Sequence, residues 1–126
     1  MVMINSKEIL VVDDSHDLTR VIAEFLALHG YHVHVAHDGF QALSRMQEQA
    51  VDVVVSDIHM PNMDGFTLMG EIKNRYPETA VILITGFSIT EAKRMALEKG
   101  ADAFVAKPFQ LKELKTAIEA VSVPVA

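Results

Sequence analysis

Three carboxylates stand where two Val-rich runs stop. Asp13 and Asp14 follow Ile9-Leu10-Val11-Val12, and Asp57 follows Val53-Val54-Val55-Ser56. A strand buried on both faces should not end in unpaired carboxylates. Massed negative charge at a low-dielectric edge is unfavourable unless a cation joins it. The chain offers one candidate, Lys107, at the end of a further apolar run. A hard divalent cation such as Mg2+ would be a second, since it prefers carboxylate and carbonyl oxygens. The pattern suggests an oxygen-ligand metal site built around one reactive aspartate.

The elements that must position these groups follow from two alternating periodicities. Runs rich in Val and Ile at 8–13, 32–36, 51–56, 80–85 and 102–106 read as strands. Four of the five are nearly continuously apolar, as parallel strands covered on both faces should be. Amphipathic helical stretches lie between them. Leu18, Val21, Ile22, Phe25 and Leu26 mark the first, which Gly30 ends. The second runs from about 39 to 49, with Asp38 as N-cap and Gln41 placed for a capping box. The third follows Asp64-Gly65 and stops before Tyr76-Pro77. The fourth opens on the capping box Ser88–Glu91 and ends at Lys99-Gly100. The last spans about 111–121. This (βα)5 alternation predicts an α/β fold with an open, doubly wound parallel sheet. The second strand is the most polar and is placed at an edge. That suits the order 2-1-3-4-5, in which ligands sit beyond the carboxyl ends of the strands.

Bulk properties narrow the function. The 126 residues fit one domain, and half of them are hydrophobic. A net charge of -6 argues against a nucleic-acid surface. The absence of cysteine rules out a disulfide frame and a thiolate metal site. No apolar run approaches the length of a membrane span. A cytoplasmic location is expected.

By the strand-end rule, Asp13, Asp14, Asp57, Thr85 and Lys107 converge on one edge of the sheet. Each has an ordinary alternative: Asp14 could cap the first helix, Thr85 could be a plain β-branched strand residue, and Lys107 could be a solvated surface lysine. Their joint placement at the ends of consecutive strands argues for a shared site. The chain also resembles the receiver (phosphoacceptor) domain of two-component response regulators, with the flavodoxin-like or CheY-like sheet order. The resemblance rests on Val11-Val12-Asp13-Asp14, on Ser56 to Gly65, on Ile84-Thr85-Gly86, and on Gly100 to Phe109.

That resemblance implies a set of roles. Asp57 would accept a phosphoryl group from a histidine kinase or a histidine phosphotransfer protein. Asp14 would bind Mg2+ directly and Asp13 mainly through water. Asp57 and the backbone carbonyl of His59 would complete the protein ligands, and Mn2+ could substitute. Lys107 would pair with Asp57 and then with the phosphoryl oxygens. The Thr85 hydroxyl would bond a phosphoryl oxygen, and Gly86 would leave room for the incoming group. Phe104 would be the aromatic that turns inward as Thr85 moves, switching the surface of the fourth helix, fifth strand and fifth helix toward an effector. Lys107-Pro108 would be a cis peptide. A phosphorylation-dependent homodimer is compatible with this family, and no direct nucleic-acid or membrane contact is implied. The domain would assist only its own phosphorylation and dephosphorylation, and so is not expected to be an enzyme acting on other substrates. Residues 7–121 would form it, with 1–6 a flexible N-terminus and 122–126 a tail or the start of a linker.

A haloacid-dehalogenase-type phosphatase needs a second Asp two residues after the nucleophile, and that position is His59. A flavodoxin-like cofactor binder needs a loop that welcomes phosphate, whereas Asp13-Asp14-Ser15-His16-Asp17 would repel it. A receiver-like interaction module independent of phosphorylation would carry the same residues. His59, at the rim, is a candidate modulator of phosphoryl hydrolysis through its imidazole. His32 and His34 alternate on one strand face like a metal pair, and are read as part of a solvated edge strand. Met46, Met60, Met63, Met69 and Met95 are read mainly as core filler and loop anchors.

Overall fold

The computed structural model describes residues 7–86 and 89–122. Five strands alternate with five helices. They are β1 (Glu8–Val12), α1 (His16–Leu28), β2 (His32–Ala36), α2 (Gly39–Glu48), β3 (Val53–Asp57), α3 (Gly65–Arg75), β4 (Ala80–Thr85), α4 (Ile89–Glu98), β5 (Ala103–Ala106) and α5 (Leu111–Val121). All pairings are parallel, in the order β2-β1-β3-β4-β5. The expected sheet order and the edge position of β2 are both found.

Strand alternation divides the core in two. Leu10, Val12, Val54, Val81 and Leu83 pack with Leu43, Met46, Leu68, Ile72 and Ala96 of α2, α3 and α4. Ile9, Val11, Val53, Val55, Ile82 and Ile84 pack with Ile22, Leu26, Leu114 and Ile118 of α1 and α5. Burying each Val, Leu, Ile or Met among them contributes roughly 1.5–3 kcal/mol, so helices and sheet hold one another without a staple. Met46 and Met69 are buried, and Met60 and Met63 pack against the first cluster, as core filler and loop anchors should.

Local signals set the helix ends. After α1, Gly30 takes a positive φ of 92°, which costs glycine little. Its N–H donates to the Ala27 carbonyl, and the Tyr31 N–H donates to that of Leu26. This is a Schellman ending, and it turns the chain straight into β2. Ser15, not Asp14, caps α1: its side chain accepts from the Leu18 N–H at 3.2 Å. The Asp14 carboxylate is therefore not consumed as that cap. Asp38 caps α2 as expected, accepting from the Gln41 N–H at 2.8 Å. The reciprocal bond is shifted by one residue, because Gln41 Oε1 accepts from the His37 N–H rather than from Asp38. The proposed cap at Ser88 lies outside the described residues.

Candidate phosphoryl and cation site

The sheet register brings the carboxylates together. Val12 of β1 is paired with Ser56 of β3, so the next residue along each chain, Asp13 and Asp57, stand side by side. Asp57 is the last residue of β3, still in the ladder opposite Ile84, one position beyond the predicted strand end. Carboxylate oxygens of Asp13, Asp14 and Asp57 all lie within 4.8 Å of one another. Asp13 and Asp57 are buried, while Asp14 is exposed.

One ammonium faces the two buried carboxylates. Lys107 Nζ is 3.5 Å from Asp13 Oδ2 and 3.6 Å from Asp57 Oδ2. Asp13 Oδ1 also accepts from the Ser15 N–H at 2.9 Å. Burial pushes the Asp57 pKa above the ordinary carboxylate value, and the Asp13 charge pushes it further. Lys107 and the backbone N–H groups of His59 and Ile58 pull the other way. A single positive charge does not neutralise three clustered acids. The donor set is all oxygen, and two of its carboxylates are withdrawn from water, so the residues fit a hard divalent cation.

The remaining predicted residues surround this cluster. Thr85 is completely buried at the end of β4, and its carbonyl accepts from the Lys107 N–H at 2.9 Å. Alternation along the strands places Thr85 on the α4 side of the sheet, with Leu83. Phe104 pairs with Leu83 in register and packs, half-buried, against the same α4-side cluster. A Cβ on Gly86 would meet Lys107 Cβ at 3.3 Å. The Lys107-Pro108 peptide is cis. The His59 side chain is exposed at the rim.

Two features of the site have little signature in the sequence. The N-terminus of α3 abuts the strand end so closely that a Cβ on Gly65 would lie 2.5 Å from the Asp57 carbonyl oxygen. The Gly65 N–H donates to the Ile58 carbonyl at 2.8 Å. Between them, Asn62 adopts a positive φ of 73°. The Asp64-Gly65 pair, ahead of an apolar helical run, was the only local signal.

The sequence pattern of the response regulator receiver domain family matches residues 9–119. The chain belongs to this family. Over 107 residues the receiver domain is 39% identical to the sensor histidine kinase RcsC of Salmonella typhi, covering 85% of this chain and 11% of that protein. It is 38% identical over 111 residues to the regulatory protein AtoC of Escherichia coli, covering 88% of this chain and 24% of AtoC. The chain therefore spans a minor part of these curated relatives. Among solved structures, it superposes on the chemotaxis response regulator CheY4 of Vibrio cholerae with a TM-score of 0.85 and 30% identity. That match covers 93% of this chain and 99% of CheY4. Among the described residues, no helix of the receiver domain is long and apolar enough to cross a membrane.

Proposed function

We propose that this receiver domain accepts a phosphoryl group on Asp57 from a phosphohistidine of a histidine kinase or a phosphotransfer protein. One observation carries the reading. A buried aspartate at a strand end lies beside two further carboxylates and one lysine ammonium. An Asp57 carboxylate oxygen forms the new bond to phosphorus as the phosphorus–nitrogen bond to the donor imidazole breaks, leaving an acyl phosphate and a free histidine.

Asp13, Asp14, Asp57 and the His59 carbonyl would hold Mg2+ or Mn2+. When bound, the cation supplies charge neutralisation to the phosphoryl oxygens during in-line transfer. Lys107 already reaches Asp57 and supplies a second positive charge to the same oxygens. Gly86 keeps the approach open. The Thr85 hydroxyl is assigned to a phosphoryl oxygen of the product, and Phe104 to the packing change that reports it on the α4–β5–α5 face. Support for that assignment is their shared sheet face and the Leu83–Phe104 register. The exposed His59 imidazole is assigned to the water that later hydrolyses phospho-Asp57, so His59→Ala is expected to change the lifetime of the phosphorylated form. An apolar groove lined by Leu18, Val21, Pro108, Phe109 and Leu111 runs up to Lys107. Its continuity with the acidic site favours a protein phosphodonor there.

The direct test is intact mass after incubation with acetyl phosphate, with and without Mg2+, for wild type and Asp57→Asn. A single phosphoryl adduct that needs Mg2+ and is lost in the variant is expected. A folded, metal-binding protein that gains no adduct would instead be an interaction module independent of phosphorylation.

A further inference from the structure

We propose that the β2–α2 loop, His37-Asp38-Gly39, is a positioning element of the phosphoryl site: it clasps the two loops that carry the cation's ligands and offers no ligand of its own. The inference rests on the assignment of Asp13, Asp14, Asp57 and the His59 carbonyl to a cation. Asp13 and Asp14 lie in the loop between β1 and α1, and His59 lies in the loop between β3 and α3. Asp38 is not part of the acidic cluster.

These ligands need support from outside their own loops. Asp13 is held by the Ser15 N–H and faces Lys107. The exposed Asp14 carboxylate has no hydrogen-bond or ion-pair partner among the described residues, so its backbone alone places it. In the β3–α3 loop, Asn62 holds a positive φ of 73°, which is uncommon for any residue but glycine. Groups that orient metal ligands without touching the metal tune its affinity strongly.

One arm of the clasp is aromatic. The His37 ring lies flat on that of His16, with centroids 3.7 Å apart and planes 2° from parallel. His16 opens α1, just after Asp14 and Ser15. The buried Thr19 hydroxyl locks the pair. It donates its only hydrogen to the His16 carbonyl at 3.0 Å, so it accepts from the His37 Nε2–H at 3.3 Å. That fixes the edge of the His37 ring and leaves its face for stacking. Behind the ring, the His37 N–H donates to Gln41 Oε1 at 2.9 Å, and the Gln41 N–H donates to Asp38 Oδ1 at 2.8 Å. The loop is thereby pinned to the first turn of α2.

The other arm is a close approach. A Cβ on buried Gly39 would lie 2.6 Å from Met63 Sδ and 3.0 Å from Met63 Cβ and Cγ. Met63 therefore runs along the Gly39 backbone with most of its side chain, not only with its tip. Asp38 Oδ2 adds a longer contact, 3.4 Å from Asn62 Nδ2. Consecutive residues of one short loop thus engage both ligand-bearing loops, His37 on one side and Asp38 with Gly39 on the other. Releasing either arm lets a ligand drift from its working position while the core stays packed.

The test is Mg2+ calorimetry on the full chain, with melting curves taken without Mg2+ and intact mass after acetyl phosphate. His37→Ala and Gly39→Ala are each expected to weaken Mg2+ binding about tenfold, the scale of losing a group that orients a metal ligand, and to slow phosphoryl uptake. His37→Phe keeps a flat ring against His16 and should recover most of the affinity. Glu48→Ala, at the exposed far end of α2, should bind as wild type does. Wild-type affinity in either His37→Ala or Gly39→Ala would overturn the proposal. So would a loss in His37→Ala that His37→Phe does not restore, because the ring would then serve folding alone. A wild type that binds Mg2+ but takes no adduct would overturn the phosphoacceptor role of Asp57 instead, and the Mg2+ affinities would still decide the clasp.

Discussion

Gly65 lies so close to Asp57 that a methyl group on it would stand 2.5 Å from the Asp57 carbonyl oxygen and 2.8 Å from Ile58 Cα. Both obstacles are backbone, so neither can rotate away. The helix that follows β3 can dock only with glycine at its first position. Gly65→Ala is expected to destabilise the domain by about 1–3 kcal/mol and to reduce phosphoryl acceptance. Gly70, in the same helix, has nothing within 4 Å of an added Cβ. Gly70→Ala should stabilise by about 0.5–1 kcal/mol. Urea midpoints of the two variants should therefore move in opposite directions.

Asp57 is destabilising when ionised in the metal-free protein. Its folded pKa is raised, so between the unfolded value near 3.8 and the folded one the native state holds the extra proton. Stability then falls as pH rises through that window and stays reduced at neutrality. Asp57→Asn removes the effect. Without divalent cation it should melt several degrees above wild type at pH 7, and the gap should close toward pH 4. Added Mg2+ should raise the wild-type melting temperature more than that of the variant.

Lys107 faces the Asp13 and Asp57 oxygens that would hold a divalent cation, so removing the lysine should separate two properties. Lys107→Met is expected to tighten Mg2+ binding about fivefold, on the order of 1 kcal/mol for a partly exposed charge. It should slow phosphoryl acceptance from acetyl phosphate. Calorimetry and intact mass on one preparation check both signs.

Protein and small-molecule phosphodonors should be distinguishable. Val21 is 41% exposed on the groove that leads to Lys107. Val21→Asp should slow transfer from a cognate phosphohistidine protein about tenfold, on the scale of a lost apolar anchor. The rate with acetyl phosphate should be unchanged. Equal slowing of both would place the damage in the fold rather than in docking.

His37 gives the domain an acid sensitivity of its own. Its ring stacks on that of His16, with centroids 3.7 Å apart and planes 2° from parallel. Burial lowers its pKa, and the nearby His16 charge lowers it further. The unfolded chain therefore takes up this proton more readily, and stability is lost as pH falls below about 6.5 through the folded value. His37→Gln should flatten this part of the pH–melting curve and leave it unchanged above pH 7.

Much of the site was legible because strand ends in a parallel sheet are announced by composition. Runs such as Val53-Val54-Val55 end in residues that apolar packing cannot use, and Asp13, Asp57, Thr85 and Lys107 stand there. The alternating histidines of β2 marked an edge. The sequence was silent where two distant segments meet. The end of β3 slipped by one because Asp57 pairs with Ile84, and no local pattern encodes a partner strand. Ser15 rather than Asp14 caps α1 because both are good capping residues, and only the backbone chooses. The contacts of Glu8 with His34 and Gln49 are hidden for the same reason: they depend on the β1–β2 register and on where α2 stops.

The pairing of Val12 with Ser56 also sets where the gene can tolerate added codons. One extra residue inside β1 or β3 would turn every following side chain of that strand to the opposite layer. It would also carry one aspartate out of line with the other. The same insertion after exposed Lys99 leaves the Asp13–Asp57 alignment untouched. An insertion scan scored for folding alone should show gaps at all five strands. Scored for phosphoryl uptake, its gaps should widen at the carboxyl ends of β1, β3, β4 and β5 but not of β2.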